Sequence, residues 1–304
     1  MKVWLAQTRA NFLLLAVFLV AIGLAYAAKY GSGDFNGWHA ALIMVGAIAA
    51  HVSVNLFNEY SDFTTRIDFN TAQTPFSGGS KMLVTGQTSP RSVHVASVLS
   101  LVIAAAIGVY FSIVSHWSIA VISVIGAIAI VYYTPLFAKM LLGEFFAGLA
   151  LGTLVVLGTY IAMNGTPGMA LAALLPLEVL LISIPPGILT ALLLLLNEFP
   201  DAEADKAGGR YHLVIKLGRE KSAWIYAAGI VLTFGIILLL PVLGISSPWI
   251  FLALLPLPLA IRAARTAIRD GADMARLIPA MGMNVMVVLA TDLLIAVAVI
   301  IQLL

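Results

Sequence analysis

The chain has 304 residues, of which 62% are apolar and 10% charged, whereas soluble domains average about 45–50% apolar and about 25% charged. This composition excludes an ordinary soluble domain, a disordered chain and a fibrous repeat, and it leaves an integral membrane protein. The formal net charge is +2 and there is no cysteine, so disulfides, thiolate metal sites, thiol catalysis and a nucleic-acid partner have no support.

Nine apolar segments follow one another along the chain. They are continuous rather than alternating, which is typical of membrane-spanning helices and not of barrel strands. Each has about the 20 residues that cross a bilayer. The sequence therefore predicts an all-α membrane protein with nine transmembrane helices, at about 11–28, 40–58, 93–114, 118–137, 145–163, 169–197, 221–240, 250–266 and 277–304.

The basic residues fall on one side of this arrangement. With the N-terminus inside, every Lys and Arg of the 16 except Lys29 lies in an inside segment. The positive-inside rule then predicts that the N-terminus and the long loops face the cytoplasm. Because the number of predicted spans is odd, the C-terminus is expected outside.

The second predicted helix ends in polar side chains, and a long inside loop of about 59–92 follows it. Polar residues at intervals of four, three and four positions lie on one helical face, and they are His51, Asn55, Asn58 and Asp62. Asp68 comes six residues after the last of them, and the loop also carries Arg66 and Lys81.

The sixth predicted helix ends in the same pattern. Residues 58–62 read Asn-Glu-Tyr-Ser-Asp, and residues 197–201 read Asn-Glu-Phe-Pro-Asp. Asp205 follows Asp201 by four residues, which places both on one face if the helix continues past Pro200. A second long inside loop is predicted at about 198–220, and it carries Arg210.

Both of these loops follow an even-numbered helix on the inside. The matching position and pattern predict two four-helix repeats in the same membrane orientation, at about 1–137 and 145–266, plus a ninth helix at about 277–304. A chance match of five residues is the alternative. We expect the whole chain, 1–304, to form one transmembrane domain with its site where the repeats meet.

The two acidic segments are suited to metal binding. Like charges near a bilayer cannot be fully solvated, and Mg²⁺ takes one or two carboxylates together with waters and phosphate oxygens. Two acidic clusters are therefore expected to hold one diphosphate through two Mg²⁺ ions. Nearby cations would neutralise the remaining oxygens, and they are Arg66, Lys81, Lys139 and Arg210. The alternative is a solvated loop with ordinary ion pairs.

A diphosphate site beside an apolar cavity suits a prenyl diphosphate. Departure of the diphosphate leaves an allylic cation, which water would quench, and a transmembrane bundle excludes water. An electron-rich acceptor can then attack the cation, so the reaction needs no protein nucleophile.

Four ordered blocks of sequence resemble the UbiA superfamily of intramembrane prenyltransferases, and most closely its 1,4-dihydroxy-2-naphthoate (MenA-like) branch. The interval between Asp62 and Asp68 is typical of that branch. The blocks are residues 55–62 with 68, residues 74–81 with 86–90, residues 132–136 with 139 and 143–144, and residues 197–205 with 209–210 and 217–218.

The resemblance implies a UbiA-type bundle that transfers a prenyl group from a polyprenyl diphosphate to a small aromatic acceptor within the bilayer. It implies 1,4-dihydroxy-2-naphthoate as acceptor, menaquinone biosynthesis as the context, and no protein partner. The implied metal ligands are Asn58, Asp62, Asp68, Asp201 and Asp205. The implied catalytic residues are Asp62, Asp201, Asp205 and Lys139. The implied substrate contacts are Asn55, Asn58, Arg66, Lys81, Tyr132, Asn197 and Arg210.

Four places in the chain depart from the family pattern. Glu59 stands where MenA-like chains often have Asp, and residues 8–10 read Thr-Arg-Ala instead of the usual Ala-Arg-Pro. The usual Asn-Asn-x-Arg-Asp is Asn-Glu-Phe-Pro-Asp at 197–201, and the usual Gly-Lys-x-Thr-Leu is Gly-Arg-Tyr-His-Leu at 209–213. These departures leave the metal chemistry intact and leave the acceptor open, with another quinone ring or an ether-lipid glycerol phosphate as alternatives.

A secondary transporter is the alternative from another class, since repeats and intramembrane acids occur there too. Acids at helix ends on one face favour an enzyme instead. His51 and Asp292 lie inside predicted spans, and each is either functional or a packed polar residue.

Overall fold

The computed structural model describes residues 2–31, 33 and 35–304, and these residues form helices, turns and loops with no strand. The α-helices are α1 (Lys2–Gln7), α2 (Leu13–Tyr30), α3 (Gly37–Thr64), α4 (Ile67–Asn70), α5 (Pro90–Val114), α6 (Ser118–Tyr132), α7 (Gly143–Gly148), α8 (Leu154–Asn164), α9 (Leu171–Leu174), α10 (Leu177–Ile182), α11 (Ile184–Ala207), α12 (Leu213–Val242), α13 (Leu257–Asp270) and α14 (Met274–Ile301). Shorter helical turns span Ala10–Phe12, Phe137–Lys139, Leu149–Thr153 and Pro248–Leu254.

Eight helical segments of the described chain are long and apolar enough to cross a membrane. They are Ala10–Tyr30, Gly37–Thr64, Pro90–Val114, Gly143–Asn164, Leu177–Ala207, Leu213–Val242, Pro248–Asp270 and Met274–Ile301. The remaining predicted span corresponds to α6, which has 15 residues. At 1.5 Å per residue α6 is about 22 Å long, less than the roughly 30 Å of a hydrocarbon core. The prediction of an all-helical membrane protein is confirmed, and the count of nine spans stays a prediction.

Two helices extend beyond their apolar segments. α3 continues to Thr64 instead of about residue 58, and α11 continues to Ala207 instead of about residue 197. Pro200 lies inside α11 and removes one backbone hydrogen bond, yet the helix does not end there. Asp201 and Asp205 therefore share one continuous helix, as the spacing requires.

The prediction of a second long loop at about 198–220 is wrong. Because α11 ends at Ala207 and α12 begins at Leu213, only residues 208–212 lie between the helices. The apolar stretch of sequence ends where the polar residues begin, but the helical backbone continues through the polar residues. α12 is interrupted at Gly218, whose φ of 80° and ψ of 163° are not helical.

Two central helices hold the bundle together. α2 packs against α14, α8 and α3, while α11 packs against α12, α7 and α14. The segment 143–164 approaches α11 at its glycines, because a Cβ built on Gly152 would lie 2.6 Å from the Cα of Gly187. Small residues allow such close helix packing in membranes. This packing brings the polar ends of α3 and α11 to the same end of the bundle.

Candidate functional site

One pocket lies where the polar ends of α3 and α11 meet. The predicted residues that line it are Asn55, Asn58, Asp62, Asp68, Asn197, Asp201, Asp205 and Arg210. An apolar wall completes the pocket, and it includes Phe12, Leu15, Val54, Leu151, Leu193 and Leu194. The pocket thus combines a carboxylate-rich part with an apolar part.

Arg210 links the two acidic motifs. It donates through Nη1 to Asp205 Oδ1 at 2.9 Å and through Nη2 to Asn58 Oδ1 at 3.0 Å, and it pairs with Asp62. Burial by itself would lower the pKa of Arg210, but the charges of Asp62 and Asp205 raise that pKa above its ordinary value. The guanidinium therefore stays charged between carboxylates from both helices.

Three buried oxygen atoms that line the pocket have no hydrogen-bond partner within the described part of the chain. They belong to Asp68 (Oδ2), Asn197 (Oδ1) and Asp201 (Oδ1). Burial raises the pKa of Asp68 to about 7, with further contributions from the charges of Asp62 and Glu59. Buried acceptors are normally satisfied, and carboxylate and amide oxygens are the ligands that Mg²⁺ prefers. The donor set fits that ion.

A glycine turn holds the loop after α4 against both acidic motifs. Gly78 donates its backbone N–H to Asp201 Oδ2 at 3.3 Å. Gly79 has a φ of +70°, and a Cβ there would lie 2.7 Å from Asp68 Oδ2. Only glycine combines the left-handed backbone with this close approach.

Glu59 is a buried acid of α3 that was not predicted as a functional residue. Its carboxylate is fully buried and accepts hydrogen bonds from Gln7 Nε2 at 2.8 Å, Arg9 Nη2 at 2.8 Å and Ser80 N at 2.9 Å. It thereby attaches the N-terminal segment and the loop of the glycine turn to α3. Burial opposes ionisation of Arg9, but the charge of Glu59 raises its pKa above the ordinary value. Arg9 also lines the pocket.

A second polar cluster adjoins the pocket and was also missed. It consists of Glu144, Glu198 and His212, all buried. His212 Nε2 lies 3.2 Å from Asp205 Oδ2, so the cluster contacts the pocket through a predicted ligand. In the sequence, Glu144 and Glu198 fall in blocks that resemble the family, and Glu198 and His212 fall in segments that depart from its pattern, but nothing there indicated that the three side chains come together.

Four predicted residues do not line the pocket. Lys139 and Arg66 are exposed, and Tyr132 has an exposed fraction of 49%. Tyr133, which directly follows α6, lines the pocket instead. Lys81 acts indirectly, because its Nζ donates to the backbone oxygen of Thr71 at 2.9 Å and lies 3.9 Å from an Asp68 oxygen.

His51 and Asp292 have different surroundings. His51 is buried and lines the pocket. Asp292 is fully buried in α14, outside the pocket lining, and neither carboxylate oxygen has a hydrogen-bond partner among the described residues. The structure therefore brings His51, but not Asp292, to the site.

Comparison with known proteins gives a consistent result over most of the chain. The UbiA prenyltransferase family model matches residues 14–286. The 1,4-dihydroxy-2-naphthoate octaprenyltransferase of Bacillus subtilis is 29% identical over 272 residues, which cover 86% of this chain and 81% of that protein. The enzyme of the same name from Mycobacterium tuberculosis is 27% identical over 280 residues, with 91% and 89% covered. The 2-carboxy-1,4-naphthoquinone phytyltransferase of Synechocystis is 25% identical over 271 residues, with 87% and 82% covered.

Solved structures share the fold. A UbiA homolog from Aeropyrum pernix, in its apo form, has a TM-score of 0.72 at 18% identity, with 97% of this chain and 98% of that chain covered. A UbiA homolog from Archaeoglobus fulgidus bound to DMAPP and Mg²⁺ has a TM-score of 0.65 at 16% identity, with 98% of both chains covered.

Proposed function

Because the chain belongs to the UbiA prenyltransferase family, we propose that it transfers a prenyl group from a polyprenyl diphosphate to 1,4-dihydroxy-2-naphthoate in a Mg²⁺-dependent reaction. Family membership makes the protein a prenyltransferase, and the acceptor and the metal are the proposal. The acceptor rests on the naphthoate relatives, and the metal rests on the site. The observation that carries it is the set of buried oxygens of Asp68, Asn197 and Asp201, which lie beside an apolar wall and have no hydrogen-bond partner among the residues that the structure describes.

We assign the binding of two Mg²⁺ ions to the carboxylate-rich part of the pocket. Their proposed ligands are Asn58, Asp62, Asp68, Asp201 and Asp205. When bound, Mg²⁺ neutralises charge on the diphosphate and makes it a better leaving group. Arg210 is placed to donate to phosphate oxygens once its carboxylate partners turn to the ions. Lys81 positions Asp68 through the contacts described above.

The apolar wall would hold the prenyl chain and keep water from the allylic cation. Phe12, Leu15, Val54 and Leu193 contribute side chains that neither donate nor accept hydrogen bonds. An allylic cation formed beside them would react with the acceptor rather than with water. The proposed roles of Lys139, Arg66 and Tyr132 would need a rearrangement, because their side chains do not line the pocket.

We further propose that α6 crosses the membrane, so that the single domain has nine spans in two four-helix repeats plus α14. The N-terminus and the site would then face the cytoplasm and the C-terminus the outside. The distribution of basic residues supports this orientation. Lys29 is the single exception, and its ammonium is paired with Glu178 at 2.7 Å.

The activity test uses purified protein in detergent with 1,4-dihydroxy-2-naphthoate, geranylgeranyl diphosphate and Mg²⁺, and it follows the product by mass spectrometry. We expect a prenylated naphthoquinol that EDTA abolishes. Asp62→Ala should reduce its formation at least about 100-fold, as expected when a group that stabilises developing charge is removed. Glu203→Gln is the matched control, because Glu203 lies on α11 between Asp201 and Asp205 but is exposed.

Two other outcomes of this test would each reject one part of the proposal. Mg²⁺-dependent release of diphosphate without naphthoquinol would reject this acceptor and leave another quinone ring or an ether-lipid glycerol phosphate. Product formation that persists in EDTA and in Asp62→Ala would reject the metal site.

A further inference from the structure

Three helix ends bring metal-ligating side chains together beside the pocket. Glu144 lies in the first turn of α7, Glu198 in the last part of α11, and His212 directly before α12. One ligand atom from each lies within 4.8 Å of the others. The three residues are 6%, 7% and 1% exposed, respectively. Water therefore has little access to these atoms.

Each of the three side chains has one buried atom without a hydrogen-bond partner among the described residues. These atoms are Glu144 Oε2, Glu198 Oε2 and His212 Nδ1. The opposite atoms of two of these side chains are engaged, because Glu144 Oε1 accepts from Leu213 N at 2.9 Å and His212 Nε2 lies 3.2 Å from Asp205 Oδ2. These contacts hold the side chains of Glu144 and His212 in place, and His212 Nδ1 faces Glu198 Oε2.

The contact with Asp205 orients the imidazole. His212 Nε2 lies 3.2 Å from Asp205 Oδ2, and a carboxylate oxygen only accepts hydrogen bonds, so Nε2 is the donor there. The other ring nitrogen, Nδ1, faces Glu198 Oε2 at 3.3 Å. Two carboxylates and one imidazole thus converge in a buried space, and such a set of polar groups needs a shared proton or a bound cation.

We propose that Glu144, Glu198 and His212 bind a divalent transition-metal ion of the zinc type, through a set of ligands distinct from the proposed Mg²⁺ ligands and at the edge of the same pocket. Imidazole nitrogen combined with carboxylate oxygen suits zinc, whereas Mg²⁺ prefers oxygen alone. Tetrahedral zinc with bonds near 2.1 Å places its ligands about 3.4 Å apart, close to the 3.3 Å between His212 Nδ1 and Glu198 Oε2. Two carboxylates and a neutral imidazole also balance the charge of one divalent ion.

The second imidazole nitrogen supports this assignment. Histidines that bind metals usually donate their other N–H to a carboxylate, which fixes the ring and raises its basicity. His212 does so toward Asp205. An entry path exists, because Glu198 and His212 both line the pocket. The ion would tie the starts of α7 and α12 to the end of α11, and His212 would act as a positioning residue for Asp205.

The test measures zinc content without any turnover, so it does not depend on the proposed prenyl transfer. Detergent-purified protein is stripped with EDTA, given Zn²⁺, washed in excess Mg²⁺ to displace zinc from oxygen-only ligands, and analysed by mass spectrometry for metals. We expect about one zinc per chain, since one tetrahedral site with an imidazole ligand is available. The zinc retained by His212→Gln and by Glu144→Gln should fall at least about tenfold below that of the wild type. Losing even an outer-shell partner typically weakens metal affinity 10–100-fold.

Two variants distinguish the proposed site from other sites. His94→Gln removes an exposed histidine and should retain zinc. Asp201→Asn alters the Mg²⁺ pocket outside the cluster and should retain zinc as well. Helical circular dichroism identifies any variant that fails to fold, and the second cluster variant is then read in its place. Wild-type protein without zinc, or zinc that is lost in Asp201→Asn but kept in both cluster variants, would overturn the proposal.

Discussion

Arg210 lies between the two acidic motifs. Its guanidinium contacts Asn58 and Asp62 of α3 and Asp205 of α11. Carboxylates from two helices would otherwise repel each other in a poorly solvated place. Arg210 therefore offsets the repulsion between the two motifs, and bound Mg²⁺ would share that role.

Replacing Arg210 should make stability depend on Mg²⁺. In EDTA, Arg210→Gln leaves Asp62 and Asp205 without their ion-pair partner, and breaking such a buried pair lowers the free energy of unfolding by about 3 kcal/mol. Added Mg²⁺ should restore much of this loss, so the Tm should rise more in the variant than in the wild type. Scanning fluorimetry in detergent, with and without Mg²⁺, measures both.

Arg276→Gln provides the matched control. Arg276 forms an ion pair with Asp270 at 2.8 Å, but its side chain is 60% exposed, and surface pairs contribute little. Equal Tm values for wild type and Arg210→Gln in EDTA would show that the guanidinium does not hold the motifs together.

The polar face of α3 shows which site residues a sequence can predict. Asn55, Asn58 and Asp62 lie at helical intervals, and the pitch of the helix fixes their common direction. Tyr132 is the last residue of α6 and Lys139 lies in the turn Phe137–Lys139, and neither belongs to a polar helical face that would indicate its direction. The prediction consequently chose Tyr132 although Tyr133 lines the pocket.

Glu198 and His212 illustrate a second limit. Their segments, 197–201 and 209–213, were identified as departures from a family pattern without any role. The short connection between α11 and α12 brings His212 Nδ1 to 3.3 Å from Glu198 Oε2, and Glu144 joins them from a distant part of the chain. Contacts between segments far apart in sequence are not encoded in local spacing.

The loop that joins α4 to α5 places its glycine turn against Asp68. Gly79→Ala should lower the affinity for Mg²⁺ and diphosphate and destabilise the protein. An L-residue in the left-handed region costs about 1–2 kcal/mol, and the added Cβ would also displace the Asp68 carboxylate. The KM for Mg²⁺ and the Tm are the quantities to measure.

Gly86→Ala separates these two effects. Gly86 has a φ of +71°, close to the +70° of Gly79, but no atom lies within 4 Å of the position that a Cβ would take there. We expect a comparable backbone penalty and an unchanged KM for Mg²⁺. If both variants changed KM equally, the contact with Asp68 would have no specific role.

The ends of α3 and α11 explain why hydropathy misplaced the loops. Apolar periodicity reports which residues face lipid or the core, so it ends at the first acidic residues. The hydrogen-bonded backbone continues for about two more turns to Thr64 and for about three more turns to Ala207. Both acidic motifs are therefore held on helices, which fix ligand positions more closely than loops do.

At the scale of the whole molecule, the helical bundle contains two separate polar regions. The pocket holds the paired motifs at one end. Glu178, in α10, accepts hydrogen bonds from Lys29 Nζ at 2.7 Å and Ser246 Oγ at 2.7 Å and so ties together three chain segments elsewhere in the bundle. Exposed apolar side chains cover α5 and α12 between their ends, including Leu99, Val102, Val231 and Leu232. Such a surface is stable in lipid and not in water.

The absence of cysteine allows a direct test of orientation and of the short helix α6. Trp117 and Met140 lie on either side of α6, with exposed fractions of 60% and 54%. If α6 crosses the bilayer and the N-terminus is cytoplasmic, an impermeant maleimide added to intact cells should label Trp117→Cys and leave Met140→Cys unlabelled. Both should react after detergent is added, which controls for reactivity.

Labelling of both variants in intact cells, or of neither, would mean that α6 does not cross, and the reverse pattern would mean that the orientation is inverted. A 15-residue helix can cross only if the bilayer thins or its flanking residues reach the interface, so the result also decides whether the odd number of spans is correct.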